Sequence, residues 1–161
     1  RRSSDLEDVV ALTHRLAAHD MHLQVHFASA LIHELAPVLA RSAVPVVIDH
    51  MGRVDATLGP NGADFQALLR LLGDEKFYVK VSGADRLGGE PPYAAGVALA
   101  TRLLREFPER CFWGTDWPHP NHTHVPDDGV LIDTLAMIAP TEALRHALLV
   151  NNPQRFYQFN A

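Results

Sequence analysis

Cysteine is almost absent from this chain, and the single one, Cys111, excludes an internal disulfide and a cysteine-based zinc cluster. Its place in a short apolar run makes a buried, unreactive role the expectation. Lysine is nearly as scarce, with only Lys76 and Lys80, and basic residues form no run anywhere. With a net charge of -5 and an isoelectric point near 6.0, the chain lacks the positive field that nucleic acid or an anionic membrane surface would select. No apolar run approaches the roughly 18 residues that a bilayer demands, and no signal-peptide pattern is seen. A reducing cytoplasm is therefore expected, with neither nucleic acid nor membrane as partner. Linkers, low-complexity tracts and clear internal repeats are missing too. The first residue is Arg1 rather than Met, so a processed product or a fragment is expected.

What is present suits one α/β domain over residues 1–161. The chain is 47% hydrophobic and 20% charged, enough to bury a real core. Leu6, Val9, Val10, Thr13, Leu16 and Ala17 repeat at helical spacing behind Ser4-Asp5, which reads as an N-cap. The segment His22 to Phe27 then alternates, with Leu23, Val25 and Phe27 on one face and His22, Gln24 and His26 on the other. A helix capped by Ser29 and running through Arg41 is expected to kink or break at Pro37. Pro45 to His50 reads as a second strand, Met51 to Gly62 as a loop, and Ala63 to Leu72 as a helix ended by Gly73.

The alternation continues. Phe77 to Val81 predicts a third strand, Ser82 to Gly89 a second long loop, and Tyr93 to Phe107 an alanine-rich helix. Cys111 to Thr115 predicts the fourth strand, stopped by Trp117-Pro118 because proline has no amide hydrogen for a ladder. Val130 to Ile138 and Thr141 to Val150 read as helices, with Asn152-Pro153 capping a short last one. Strands that alternate with helices in this way imply a parallel sheet with right-handed crossovers. Two architectures satisfy the pattern: the C-terminal half of a TIM (β/α)8 barrel, or a small doubly wound sheet. A complete barrel takes about 250 residues, so the first reading makes this chain strands five to eight of one.

Each expected strand ends on a polar group: His26, His50, Ser82 and Asp116. Carboxyl ends of parallel strands are where ligands bind, and strand parity puts His50 on the face of Val46 and Ile48, and Asp116 on the face of Phe112 and Gly114. A hydrolytic site needs such a set, since a carboxylate takes a proton from water while an imidazole or a metal stabilises the developing oxyanion. Arg53 and Arg86, in glycine-containing loops just past strands two and three, carry the planar fork that matches a carboxylate. His119, His122 and His124 look like a metal cluster, but a proline-flanked loop seldom fixes coordination geometry. His119 is expected instead to touch substrate or another site residue.

Four stretches, Val47-Ile48-Asp49-His50-Met51-Gly52-Arg53, Val79-Lys80-Val81-Ser82-Gly83-Ala84-Asp85-Arg86, Trp113-Gly114-Thr115-Asp116-Trp117-Pro118-His119-Pro120-Asn121 and Asn152-Pro153-Gln154-Arg155-Phe156-Tyr157, occur in order. Together they resemble the amidohydrolase superfamily, in the branch that contains 2-pyrone-4,6-dicarboxylate hydrolase and related lactonases. The resemblance covers nearly the whole chain as the second half of that family's barrel. It implies that Asp116 activates water, that His50 lies near the scissile carbonyl, and that Arg53 and Arg86 hold substrate carboxylates. It also places His26 at the end of the fifth strand, where metal-using relatives carry a ligand and the pyrone hydrolases a tyrosine.

That departure keeps several readings open. The leading one is a hydrolase opening a small carboxylate-bearing lactone, with Asp116 and His50 catalytic and Arg53, Arg86, His26, Ser82 and His119 contacting substrate. Whether a divalent metal such as zinc is used stays open; if so, His26 and Asp116 are its ligands here. A metal-dependent decarboxylase of the same superfamily and a non-catalytic half-barrel that binds a ligand are the alternatives. Either a first-half barrel or self-association is expected to cover the open sheet edges.

Overall fold

A computed structural model of the chain describes residues 3–120 and 125–159. Helix α1 (Ser3–Ala17) leads into strand β1 (Leu23–Val25), α2 (Ile32–Leu39), β2 (Val46–Ile48), α3 (Ala63–Leu72), β3 (Phe77–Lys80), α4 (Ala94–Glu106) and β4 (Cys111–Phe112). Helices α5 (Asp128–Ile138), α6 (Glu142–His146) and α7 (Asn152–Tyr157) follow. All three strand pairings are parallel, and spatial order equals chain order, β1-β2-β3-β4. A doubly wound sheet reverses direction at a switch point, which this order lacks; a barrel wall is sequential throughout. The fold is thus α/β, four parallel strands alternating with helices.

Strand alternation divides the side chains between two environments. Val46, Ile48, Phe77, Val79 and Cys111 turn to one face and are buried against Ile32, Phe65, Leu68, Leu72, Leu99 and Leu103 of helices α2 to α4. Each such side chain contributes roughly 1.5–3 kcal/mol by leaving water. Gln24, Asp49, Tyr78, Lys80 and Phe112 belong to the other face. There the rings of Phe156 and Tyr157 close on the sheet, Phe156 standing 4.4 Å from Tyr78, 5.1 Å from Phe112 and 5.0 Å from His22 between centroids.

Several local expectations need correction. Strands are shorter than the apolar runs that announced them, and β4 stops at Phe112, so Asp116 stands in the loop beyond rather than at the strand's end. Parity therefore cannot be carried forward to Asp116, nor to His50, which follows β2. Residues Ser4-Asp5 lie inside α1, which starts at Ser3. Ser29 opens a 3-10 turn, Ser29–Leu31, and α2 has no side-chain cap. Pro37 is accommodated within α2, which ends two residues later, at Leu39. Helix α5 starts earlier than its apolar pattern because Asp127 accepts hydrogen bonds from the amides of Gly129 and Val130. Asn152 caps nothing. Helices α6 and α7 run together through a π turn at Ala147–Asn151, which turns Asn152 inward to donate to the carbonyls of Pro108 and Cys111 at 2.7 and 2.9 Å.

The largest departure follows β2. His50, Met51, Gly52 and Arg53 all have positive φ (47°, 51°, 66° and 52°), a complete left-handed turn where the sequence reads as strand end and loop. For an L-residue this conformation costs about 1–2 kcal/mol, so His50, Met51 and Arg53 together store roughly 3–6 kcal/mol. Surroundings must offset it. Met51 is wholly buried, and Gly52 lies against Ile48 and Phe27.

Candidate active site

The left-handed turn redirects His50 from β2 across the end of β3. Its Nδ1 is 3.0 Å from Ser82 Oγ, and both residues are buried, at 8% and 4% exposure. Gly83 makes this approach possible, since a Cβ there would lie 3.0 Å from His50 Nδ1 and Gly83 itself has φ 69°. On the far side of the ring, Nε2 stands 3.5 Å from Asp116 Oδ1. The Ser82 hydroxyl can donate to Nδ1 or accept from it; in the tautomer in which it donates, the ring proton is on Nε2, on the side of the carboxylate. His26 meets the His50 ring edge-on, 5.3 Å between centroids.

Asp116 is itself in the left-handed region, with φ 70°, and its carbonyl accepts from the His119 amide at 2.7 Å. Its second carboxylate oxygen, Oδ2, is gripped by Arg86, through Nε at 2.8 Å and through a terminal guanidinium nitrogen. Arg86 reaches it from a 3-10 turn, Ala84–Leu87, held close to α4 at Gly96, where a Cβ would come 2.9 Å from the Ala84 carbonyl oxygen. The same arginine donates to the Pro120 carbonyl at 3.1 Å.

Burial pushes the His50 imidazole below its ordinary value of 6.5, helped by the charge of Arg86 and by His26, while Asp116 and Asp49 pull the other way. His22, under the Phe156 and Tyr157 rings, is lowered by burial and by Lys80. As pH falls below 6.5 the unfolded chain binds these protons first, so stability is complete above that pH and is lost as pH falls through the lowered folded-state values. Thermal unfolding followed from pH 8 to pH 5 is expected to show a falling Tm, with a shallower fall for His50→Gln; equal slopes would remove His50 as a contributor. Cys111 is inert by the same physics, its thiol pushed up to about 12 by burial.

A cavity of about 320 Å³ opens on this set, lined by His50, Ser82 and Asp116, then Lys80, then Phe112, Trp113, Gly114, Pro153, Tyr157 and Phe159. Of the residues singled out in the sequence, the structure brings His50, Ser82, Asp116 and Arg86 into contact with one another and sets His26 beside them. Arg53 is exposed at the end of the left-handed turn and does not line the cavity. His119 is not in the lining either: it is buried, with Nε2 3.1 Å from Asp128 Oδ1, and it ties the Asp116 turn to the start of α5. His122 and His124 lie outside the described residues. Among the described residues no group of three or more His, Cys, Asp or Glu side chains is placed to hold a metal ion. His26 and Asp116 would supply two ligands, with a guanidinium already on one of the Asp116 oxygens, which is a poor fit for a cation.

Lys80, Trp113 and Tyr157 were not marked as site residues in the sequence. Lys80 had a usable signal, because alternation along β3 puts it on the same face as Ser82. Tyr157 had none, since only the π turn directs α7 onto the sheet.

The amidohydrolase family model matches residues 3–159. The chain belongs to the amidohydrolase family. A 2-pyrone-4,6-dicarboxylate hydrolase of Comamonas testosteroni is 37% identical over 162 residues, covering 94% of this chain and 53% of its own length. A 4-sulfomuconolactone hydrolase of Hydrogenophaga intermedia is 42% identical over 142 residues, covering 86% and 47%. Among solved structures, one from Acinetobacter baumannii, described as a probable 2-pyrone-4,6-dicarboxylic acid hydrolase with citric acid bound, aligns with a TM-score of 0.77 at 29% identity, over 87% of this chain and 53% of that one. This amidohydrolase chain therefore spans about half the length of the relatives it matches, and its four strands correspond to about half of their barrel.

Proposed function

We propose that this chain is the second half of a (β/α)8 lactone hydrolase, strands five to eight, working in the cytoplasm on a small anionic ring. The single observation that carries the reading is the Asp116–His50 pair at the cavity rim, a carboxylate oxygen and an imidazole nitrogen 3.5 Å apart, both on strained backbone. Strain of this kind persists where function requires a particular geometry. A water between Oδ1 and the lactone carbonyl gives its proton to Asp116 as its oxygen attacks carbon. The neutral His50 donates from Nε2 to the developing oxyanion. When the tetrahedral intermediate collapses, the ring C–O bond breaks and Asp116 returns the proton to the leaving ring oxygen, giving a ring-opened acid.

Phe112, Trp113 and Tyr157 offer apolar walls to a flat ring. Ser82 fixes the His50 tautomer, and Arg86 holds Asp116 oriented through Oδ2. Arg53, exposed at the end of the left-handed turn, is the arginine left to meet a substrate carboxylate, with His26 beside His50 as a further contact. The relatives' names suggest two substrates to try, 2-pyrone-4,6-dicarboxylate and 4-sulfomuconolactone. Incubating the complete barrel with each and identifying the product is expected to give a ring-opened acid from at least one, without release of carbon dioxide. Carbon dioxide would favour the decarboxylase reading. Binding without turnover would favour a non-catalytic half-barrel.

A further inference from the structure

The strained turn that aims His50 needs an anchor, and the residue immediately before it supplies one. Asp49 is buried, and its carboxylate is engaged from the two strands that flank β2, one oxygen by a hydrogen bond and the other by an ion pair. From β1, Gln24 Nε2 donates to Oδ2 at 2.9 Å; from β3, Lys80 Nζ reaches Oδ1 at 2.8 Å. Strand register explains the meeting: Ile48 pairs with Val79, which sets Asp49 beside Lys80, while Gln24 pairs with Val47 on the same sheet face and reaches Asp49 diagonally, two residues further along. An ionised carboxylate held on both oxygens fixes the direction in which the chain leaves β2. Of the three groups, Lys80 is the one that lines the cavity.

We infer that Asp49 is a positioning residue, whose grip by Gln24 and Lys80 holds the left-handed turn that sets His50 against Asp116. The inference rests on the proposed lactone-opening role of that pair. It makes a distinction that fold stability alone would not: Asp49 acts on turnover only through His50.

The test is a double-mutant cycle on the complete barrel. Asp49→Asn keeps the size of the side chain but loses the charge that Lys80 holds and one of the two acceptor oxygens. It is expected to lower kcat about 10- to 100-fold with KM changed less than threefold. In a His50→Gln background the same substitution is expected to add less than a twofold further loss. Retention of kcat within twofold in the single variant, or an equal loss in both backgrounds, overturns the inference. Lys80→Met provides a second entry to the same grip and is expected to show the same dependence on His50. If the unchanged protein opens no lactone, the functional reading fails and a crystal structure of Asp49→Asn decides this inference alone. A relaxed turn at residues 50–53 supports it, and an unchanged left-handed turn overturns it. If Asp116→Asn abolishes turnover while Asp49→Asn does not affect it, the functional reading stands and this inference falls.

Discussion

Asp116→Asn is expected to lower kcat for lactone opening by about 10²- to 10⁴-fold while leaving KM close to its original value. General-base contributions fall in that range, and a loss confined to kcat marks an interaction made only in the transition state. The substitution is nearly isosteric. Its amide oxygen can still accept from Arg86 in place of Oδ2, so the turn that carries residue 116 should keep its place. What disappears is the basic Oδ1 that faces His50 Nε2 across 3.5 Å. Steady-state kinetics on a carboxylated lactone provide the measurement. Normal turnover by the asparagine protein would assign the proton transfer to another group.

Arg86→Met is expected to lower stability by about 3 kcal/mol, and not merely to weaken substrate binding as an arginine free to clamp a carboxylate would. In the structure the guanidinium is committed to Asp116, with side-chain exposures of 10% and 17% for the two partners. Removing one member of a fully buried pair costs about 3–5 kcal/mol because the other charge loses its counter-charge; some solvent access here, and the His50 ring beside Asp116, place the expectation at the lower end. For a chain of this size that corresponds to a fall in Tm of roughly 6–12 °C. Turnover should fall as well, since Asp116 loses the contact that orients it. The double variant Arg86→Met with Asp116→Asn should recover part of the lost Tm, as the carboxylate that loses its guanidinium is then neutral. Calorimetry of the three proteins decides: a single variant with unchanged Tm would mean that the pair contributes nothing to stability.

Much of the fold could be read from the chain because burial leaves a direct mark on composition. Pro45 to His50, Phe77 to Val81 and Cys111 to Thr115 read as short strands from their apolar and β-branched residues, and a shorter strand lies within each, in the expected order. His50, Ser82 and Asp116 stood out because polar groups follow those runs directly. The left-handed turn did not stand out. Asp49 to Arg53 contains one glycine, and nothing in the local preferences of His, Met or Arg points to positive φ; tertiary contacts impose it. The Arg86–Asp116 pair was equally hidden, since the two residues are thirty apart and meet only because the turns after β3 and β4 open on the same rim. Arg53 and His119 carry chemistry that suits a site; in the structure Arg53 is exposed at the end of the left-handed turn and His119 packs against Asp128.

The π turn between α6 and α7 makes this protein sensitive to length where it looks most ordinary. One surplus residue in a helical turn rotates everything after it by about 100°. That rotation sends Asn152 towards β4 and brings Phe156 and Tyr157 over the sheet. Among homologous chains, insertions and deletions between residues 147 and 151 should therefore be rarer than substitutions, because a changed count would swing Phe156 and Tyr157 away from the sheet face they cover.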